Sequence, residues 1–312
     1  MKFAISAALA CLLAQGFCAE ALPIPDPRLE NAHRLTEKVW TGAEPQGEKA
    51  MQALKERGVK TVISVDGSRP NTELAHKYGL RYVHLPIGYD GVPAERGKEL
   101  AKALEELNGP IYVHCHHGKH RGPAAAATAC VVAGWLSNDE AVAAMKELGT
   151  GENYLGLWES ARTAKALPAA ELAKVKVEFR ESAPIPPLTD AMVHVDGIAD
   201  RLDECKRAGW KQPKDYPDLD PAHEALKLRE IFFELTRTDE FKSRPEDFRN
   251  RMNTGIEHAK KLEEMLTAFK KNEAGTAPQD ISASLTTLQK DCMSCHVVYR
   301  NTHPQTVPLT PK

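Results

Sequence analysis

Apolar residues follow different periods in the two halves of the chain. Between about residues 40 and 162, short β-rich runs alternate with helical ones. Residues 60–65, 82–87 and 111–114 have the composition of buried strands, and helical stretches near 47–57, 71–78 and 93–107 lie between them. Strands separated by helices of this length predict an α/β domain with a parallel-rich central sheet flanked by helices.

From about residue 189 onward the apolar period is helical. The clearest of four such runs spaces its apolar residues three or four positions apart: Phe248, Met252, Ile256, Ala259, Leu262, Leu266 and Phe269. Four amphipathic helices with modest loops predict an all-α, antiparallel four-helix bundle. Prolines punctuate residues 166–188, which we assign as a linker between domains at 28–165 and 189–302. Within the linker, residues 174–179 are a candidate edge strand.

Residues 1–21 have the features of a secretory signal peptide. Lys2 precedes an apolar run that is too short to span a bilayer stably, and Ala19 and Ala21 stand where a signal peptidase requires small residues. A single N-terminal membrane anchor is the alternative. Cleavage predicts a periplasmic or otherwise exported protein with no membrane span after signal removal.

The net charge limits the kinds of binding partner, and the cysteine content limits disulfide bonding. The formal net charge of the 312-residue chain is −2, which favours neither nucleic acid nor an anionic membrane surface. Cys130 and Cys205 fall on apolar faces of helical runs, where thiols act as small hydrophobes. We therefore expect no disulfide framework.

The segment His114-Cys115-His116-His117-Gly118-Lys119-His120-Arg121 has the chemistry of a phosphate-binding loop. A strand ends at His114, Cys115 follows it, and an alanine-rich helical run follows Arg121. Backbone N–H groups of such a loop, at the start of a helix, bind phosphate and lower the pKa of a thiol. Cys115 is thus the candidate nucleophile, Arg121 offers two parallel donors to phosphoryl oxygens, and Gly118 permits the tight backbone turn.

This segment resembles the H-C-x5-R signature of the cysteine-dependent protein tyrosine phosphatases, and the compactness of the domain resembles their dual-specificity branch. The resemblance implies that Asp90, on a glycine-flanked loop, is the general acid; Asp66 is a second carboxylate that is less well positioned. It also implies that the loop residues bind substrate: His116, His117, Gly118, Lys119, His120 and Gly122. The family usually has Ser or Thr after the arginine, and its hydroxyl helps the thiolate leave when the phosphocysteine is hydrolysed. This chain has Gly122 there, which leaves open how fast it turns over. A metal site formed by the loop histidines is an alternative.

Near the C-terminal end, Cys292-Met293-Ser294-Cys295-His296 has the C-x-x-C-H spacing of a covalently attached c-type haem. Cys292 and Cys295 would form the thioethers, and His296 would be the proximal iron ligand. On the last of four helices, this motif resembles the cytochrome c-prime family. That resemblance implies one haem c and allows a homodimer through the bundle. It also implies a sixth iron position that is either empty or filled by a methionine of the first helix, for which Met192 is the candidate. Structural zinc or a redox dithiol are the alternatives.

Together these features predict an exported phosphatase of phosphomonoesters fused to a haem domain that gates or senses redox state. The expected partners are a phosphorylated substrate and a redox partner. Two alternatives have a different chemistry: a phosphate-binding or gas-sensing haem protein with little turnover, and a plain electron-transfer cytochrome.

Overall fold

The computed structural model of the chain describes residues 21–216, 218–272 and 276–301. The predicted signal peptide, apart from Ala21, and residue 302 lie outside the described residues. No helix within the described ranges is long and apolar enough to cross a bilayer.

A six-stranded mixed sheet forms the centre of the first unit. Its strands are β1 (Leu22–Pro23), β2 (His33–Arg34), β3 (Val39–Ala43), β4 (Thr61–Ser64), β5 (Arg81–His84) and β6 (Ile111–Cys115). The spatial order is β1-β2-β3-β6-β4-β5, in which β3, β6, β4 and β5 are parallel and β1 and β2 are antiparallel additions. The parallel strands end at the same edge, so their C-terminal residues converge there.

Helices cover both faces of this sheet. They are α1 (Gly47–Glu56), α2 (Thr72–Lys77), α3 (Ala94–Glu106), α4 (Arg121–Val132), α5 (Asn138–Glu147), α6 (Leu155–Thr163) and the short α7 (Ala169–Leu172). One apolar core lies between the sheet and α3, α4, α5 and α6, and the other lies on the α1 side. Every residue of α4 is buried, as its alanine-rich sequence requires.

The segment between the two units packs on the first of them. Leu172 is buried, and Val177 and Phe179 contact the core of the α/β unit. The backbone N–H of His84 donates to the carbonyl of Arg180, but residues 174–179 do not form the edge strand that their pattern predicted. A single hydrogen bond of this kind does not make a ladder.

The second unit is helical. It comprises α8 (Pro187–Arg207), α9 (Pro221–Leu235), the short α10 (Asp239–Ser243), α11 (Glu246–Lys270) and α12 (Pro278–Tyr299). α9 packs against α8 and α11, and α11 packs against α12, around a common apolar core. This arrangement is consistent with a helical bundle. The four long helices correspond to the four predicted runs, and α10 was not predicted.

Candidate functional site

The loop between β6 and α4 sits at the C-terminal edge of the parallel strands. Cys115 is the last residue of β6 and is 4% exposed, while Arg121 opens α4 and is 8% exposed. Gly118 has φ +66°, and a Cβ there would collide with the backbone of Gly42 and Ala43 in β3. The loop therefore needs glycine at this position, and it closes tightly over the neighbouring strand.

Arg121 forms a buried ion pair with Asp66, which follows the end of β4. Its Nη2 donates to Asp66 Oδ2 at 2.9 Å. The same oxygen accepts the backbone N–H of His116 at 2.6 Å, and Oδ1 accepts that of Gly67. Burial is the largest influence on the pKa of Asp66 and raises it, but the charge of Arg121 and these amide bonds hold the pKa below its ordinary value. Asp66 thus anchors both the arginine and the first amide of the loop.

The rest of the Arg121 guanidinium is open to a further acceptor. Its Nε is buried and has no hydrogen-bond partner among the described residues. Cys115 is close enough for its charge to influence the pKa of Arg121. A buried donor without an acceptor is unfavourable, so an anion bound beside Cys115 would complete the hydrogen bonding of this side chain.

His114 lies in the core beneath the loop. A 2.6 Å hydrogen bond joins its Nε2 to the hydroxyl of Tyr82, and both side chains are buried. Burial lowers the pKa of His114, which favours the neutral ring. His114 therefore positions the start of the loop without contributing a charge.

Asp90 lies on a loop that packs against α6. Its carboxylate turns back over Gly88, and its carbonyl is so close to Gly156 that a side chain at residue 156 would clash with it. The neighbouring Tyr89 reaches the phosphate loop: its hydroxyl accepts a 3.1 Å hydrogen bond from Arg121 Nη2. The structure thus brings the Asp90 loop to the arginine through Tyr89.

Gly122 directly follows Arg121, at the position where the resemblance leads one to expect the hydroxyl of a Ser or Thr. A Cβ at residue 122 would be 3.1 Å from the backbone nitrogen of Cys115 and 3.3 Å from Thr41 Oγ1. Thr41 is fully buried in β3, and its hydroxyl has no hydrogen-bond partner among the described residues. A hydroxyl is therefore present beside this position, although it comes from a different strand.

The remaining loop side chains point in different directions. His120 packs against Tyr154 with ring centroids 4.6 Å apart, and burial together with nearby cations lowers its pKa to about 4. Lys119 is exposed, while the His116 and His117 rings lie 4.3 Å apart and face the helical unit. The four imidazoles of the segment do not converge on one point.

The haem-motif residues lie on the last turns of α12. Cys292 and Cys295 are free thiols that pack against the helical core, and His296 is half-buried. Burial raises the pKa of Cys292 to about 11 and lowers that of His296 to about 4. Met293 and Val297 on the same turns are 52% and 59% exposed. Two thiols, an imidazole and an open apolar surface fit the needs of a covalently bound haem. Met192 packs against the same core.

The end of α12 reaches Tyr89, which in turn contacts Arg121 of the loop between β6 and α4. The Arg300 guanidinium lies 4.4 Å from the centroid of the Tyr89 ring, and that of Arg121 lies 4.2 Å from it. Both distances suit cation–π contacts. Tyr89, whose hydroxyl accepts a hydrogen bond from Arg121, is thus also contacted by the end of the helix that carries the C-x-x-C-H motif.

Sequence reasoning named Asp66 only as a less well positioned acid and missed two further contributors, Tyr89 and Arg300. The pairing of Asp66 with Arg121 could have been found, because carboxyl ends of parallel strands meet at one edge. Tyr89 adjoins Asp90, but its contact with Arg121 had no sequence signal. Arg300 depends on how the helical unit docks, which no local pattern reveals.

Comparison with known proteins identifies the first unit. Residues 39–139 match the family described as "Polymorphic toxin system, DSP-PTPase phosphatase". This part of the chain is a phosphatase domain of the tyrosine/dual-specificity type, and the chain is a phosphatase-like enzyme. No curated protein matches the chain.

Three solved structures are similar to part of the chain. TpbA of P. aeruginosa is 24% identical over 47% of this chain and 91% of its own, with a TM-score of 0.41. A cysteine-to-serine variant of TpbA in complex with phosphotyrosine is 22% identical over 47% and 90%, with a TM-score of 0.41. The core catalytic domain of the PP-IP phosphatase Siw14 from S. cerevisiae is 18% identical over 44% and 86%, with a TM-score of 0.38.

Proposed function

We propose that the chain is an exported phosphatase that hydrolyses phosphomonoesters of the phosphotyrosine type through a phosphocysteine intermediate. The observation that carries the proposal is the buried Arg121 guanidinium, whose Nε has no partner among the described residues, at the start of the helix that follows the Cys115 loop. Arg121 and the loop amides bind the non-bridging phosphoryl oxygens, where the developing charge needs compensation.

The reaction has two steps. The Cys115 thiolate attacks phosphorus, the bond to the ester oxygen breaks, and Asp90 donates its proton to the leaving oxygen. Asp90, now a carboxylate, takes a proton from water as that water attacks the phosphocysteine, and phosphate leaves with regeneration of the thiolate. The loop contact through Tyr89 supports this assignment of Asp90.

Phosphate release from an aryl phosphate tests the first step. Cys115→Ser should abolish release, since a serine hydroxyl in this loop is a poor nucleophile at neutral pH. Cys130→Ala is the matched control, because Cys130 is buried in α4 and burial raises its pKa to about 12. If Cys115→Ser releases phosphate at the wild-type rate, the phosphatase mechanism is wrong.

A second candidate function is phosphate binding with little turnover. Gly122 favours it, because the residue that usually follows the arginine supplies a hydroxyl to the departing thiolate. Trapping of the phosphocysteine intermediate separates the two candidate functions. A chain that binds phosphate and forms stoichiometric phosphocysteine, without further product, is a sensor; repeated turnover identifies an enzyme.

We further propose that the helical unit carries one haem c through Cys292 and Cys295, with His296 as proximal ligand and Met192 as candidate sixth ligand. The free thiols and exposed apolar turn of α12 support this proposal. Bound haem would supply a one-electron redox centre or a gas-binding site. Covalent attachment is tested by a haem-sized mass increase and a haemochrome spectrum; Cys292→Ala should lose one thioether, and Cys205→Ala should retain both.

The contact of Arg300 with Tyr89 supports redox gating of the phosphatase. His296 and Arg300 are one turn apart on the α12 end, so a change around His296 has a short route to Tyr89. Turnover is measured with the haem reduced and then oxidised, and Arg300→Gln should reduce the difference between the two rates. Equal wild-type rates in both states would remove gating from the proposal.

A further inference from the structure

Two histidines of the catalytic loop and an aspartate of α8 form a compact group. His116, His117 and Asp196 each offer one ligand atom, and these atoms all lie within 4.8 Å of one another. His116 is half-buried, whereas His117 and Asp196 are exposed. The loop histidines thus meet a carboxylate from the other unit, which their spacing in the sequence did not predict.

Carboxylates lie near both ring nitrogens of His116. Glu44 Oε2 lies 3.6 Å from Nδ1, and Asp200 Oδ2 lies 3.8 Å from Nε2. Metal-binding histidines are commonly held in this way, with a carboxylate at the nitrogen that does not bind the metal. Asp196 and Asp200 are four residues apart on α8 and share one face of that helix.

We propose that His116, His117 and Asp196 bind a divalent transition-metal ion of the Zn²⁺ type. In this site His116 binds through Nε2, Glu44 orients its ring, and Asp200 lies in reach as a fourth ligand. Two imidazoles with carboxylates suit zinc, copper or nickel, whereas calcium and magnesium prefer oxygen ligands alone.

A proton is the competing occupant of this cluster. Glu44 raises the pKa of His116 to about 9, so the carboxylates also stabilise a protonated ring. The two occupants make different demands on the chain. Both use the carboxylates around His116, Asp196 included, but only a metal ion also requires His117.

A metal ion at this site would join the two units. Two of its ligands directly follow Cys115, and the third lies on α8. The ion would therefore fix the helical unit against the catalytic loop without touching the haem motif. Bound metal should raise the thermal stability of the chain and make the contact between units resistant to separation.

The test is calorimetric titration of Zn²⁺ into untagged, haem-loaded chain carrying Cys115→Ser, which removes the reactive thiolate as a competing ligand. We expect one equivalent to bind. His117→Ala and Asp196→Asn should abolish that binding, and Glu44→Gln should weaken it about 10- to 100-fold. His194→Ala is the matched control, since His194 is an exposed histidine of the same helix.

Cobalt substitution gives a second readout that does not depend on activity. In a difference spectrum that subtracts the haem absorption, Co²⁺ at this site should give visible bands that disappear in Asp196→Asn and remain in His194→Ala. The proposal is overturned if micromolar Zn²⁺ gives no saturable binding, or if His117→Ala and Asp196→Asn bind as tightly as the parent chain. Because His117 and Asp196 are exposed, these substitutions leave the fold intact.

Discussion

Replacing Asp66 by asparagine removes one charge from the most buried ion pair of the catalytic loop. Asp66 is 2% exposed and Arg121 is 8% exposed, so the remaining guanidinium would be left without a counter-charge in the interior. Breaking such a pair from one side costs about 3–5 kcal/mol of unfolding free energy. Asparagine keeps one acceptor oxygen, which can serve Arg121 and the His116 amide, but its NH2 group replaces the oxygen that accepts the N–H of Gly67.

Urea denaturation measures this loss. Trp40, Trp135 and Trp158 lie in the α/β unit, so tryptophan fluorescence reports mainly on its unfolding. With a slope of about 1–3 kcal/mol per molar urea, the midpoint should fall by more than about 1 M. Added phosphate should restore part of the difference, because a bound anion gives Arg121 a new partner and stabilises the folded state.

The stabilising contribution of Asp66 should depend on pH in a defined direction. The folded-state pKa of Asp66 is lowered, so its stabilising contribution is complete above the unfolded-state pKa near 4 and is lost as the pH falls through the folded-state value. The difference between wild type and Asp66→Asn should be constant at neutral pH and shrink in acid. An unchanged midpoint, or a difference that grows toward low pH, refutes the buried-pair argument. Asp90→Asn is the contrast: turnover should fall with little change in midpoint.

Three further substitutions have defined outcomes. Thr41→Val should slow phosphocysteine hydrolysis about tenfold and produce a burst of aryl product, with Thr41→Ser close to wild type; equal steady-state rates would mean that the hydroxyl beside Gly122 has no part in turnover. Gly118→Ala should cost at least about 1 kcal/mol of stability and most activity, measured by denaturation and aryl phosphate hydrolysis, because φ is +66° and a Cβ meets the β3 backbone. Tyr82→Phe leaves buried His114 Nε2 without its partner and should lower unfolding free energy by about 1–3 kcal/mol, whereas no change in the urea midpoint would indicate that another group satisfies the ring.

Much of the secondary structure followed from local patterns. The strands predicted at 60–65, 82–87 and 111–114 correspond to β4, β5 and β6, and the helices predicted before α4 match α1, α2 and α3 within one or two residues at each end. These segments have strong apolar periods and clear breaks. β1 and β2 have two residues each and α10 has five, which is too short for any period to develop.

The residues of the candidate site also differ in how far a local sequence pattern could reveal them. Cys115 and Arg121 belong to one local segment, so their spacing revealed them. Asp66 joins that segment through the parallel sheet, and Asp196 and Arg300 join it only through the docking of a separate helical unit. Contacts of the last kind depend on side-chain complementarity between distant surfaces, for which a single sequence contains no periodic signal.

The segment before α8 sets the effective concentration of the helical unit beside the α/β unit. The N–H of Ala183 donates to His84 Nδ1 on the α/β unit, and α8 begins at Pro187. The span between these fixed points extends about 14 Å at most, and its Pro-Ile-Pro sequence makes it stiff. Such a short tether holds α8 beside the catalytic loop at an effective concentration on the order of millimolar. Contacts between the units should therefore be as frequent in a dilute sample as in a concentrated one, and a separate copy of the helical unit would displace the tethered one only near millimolar levels.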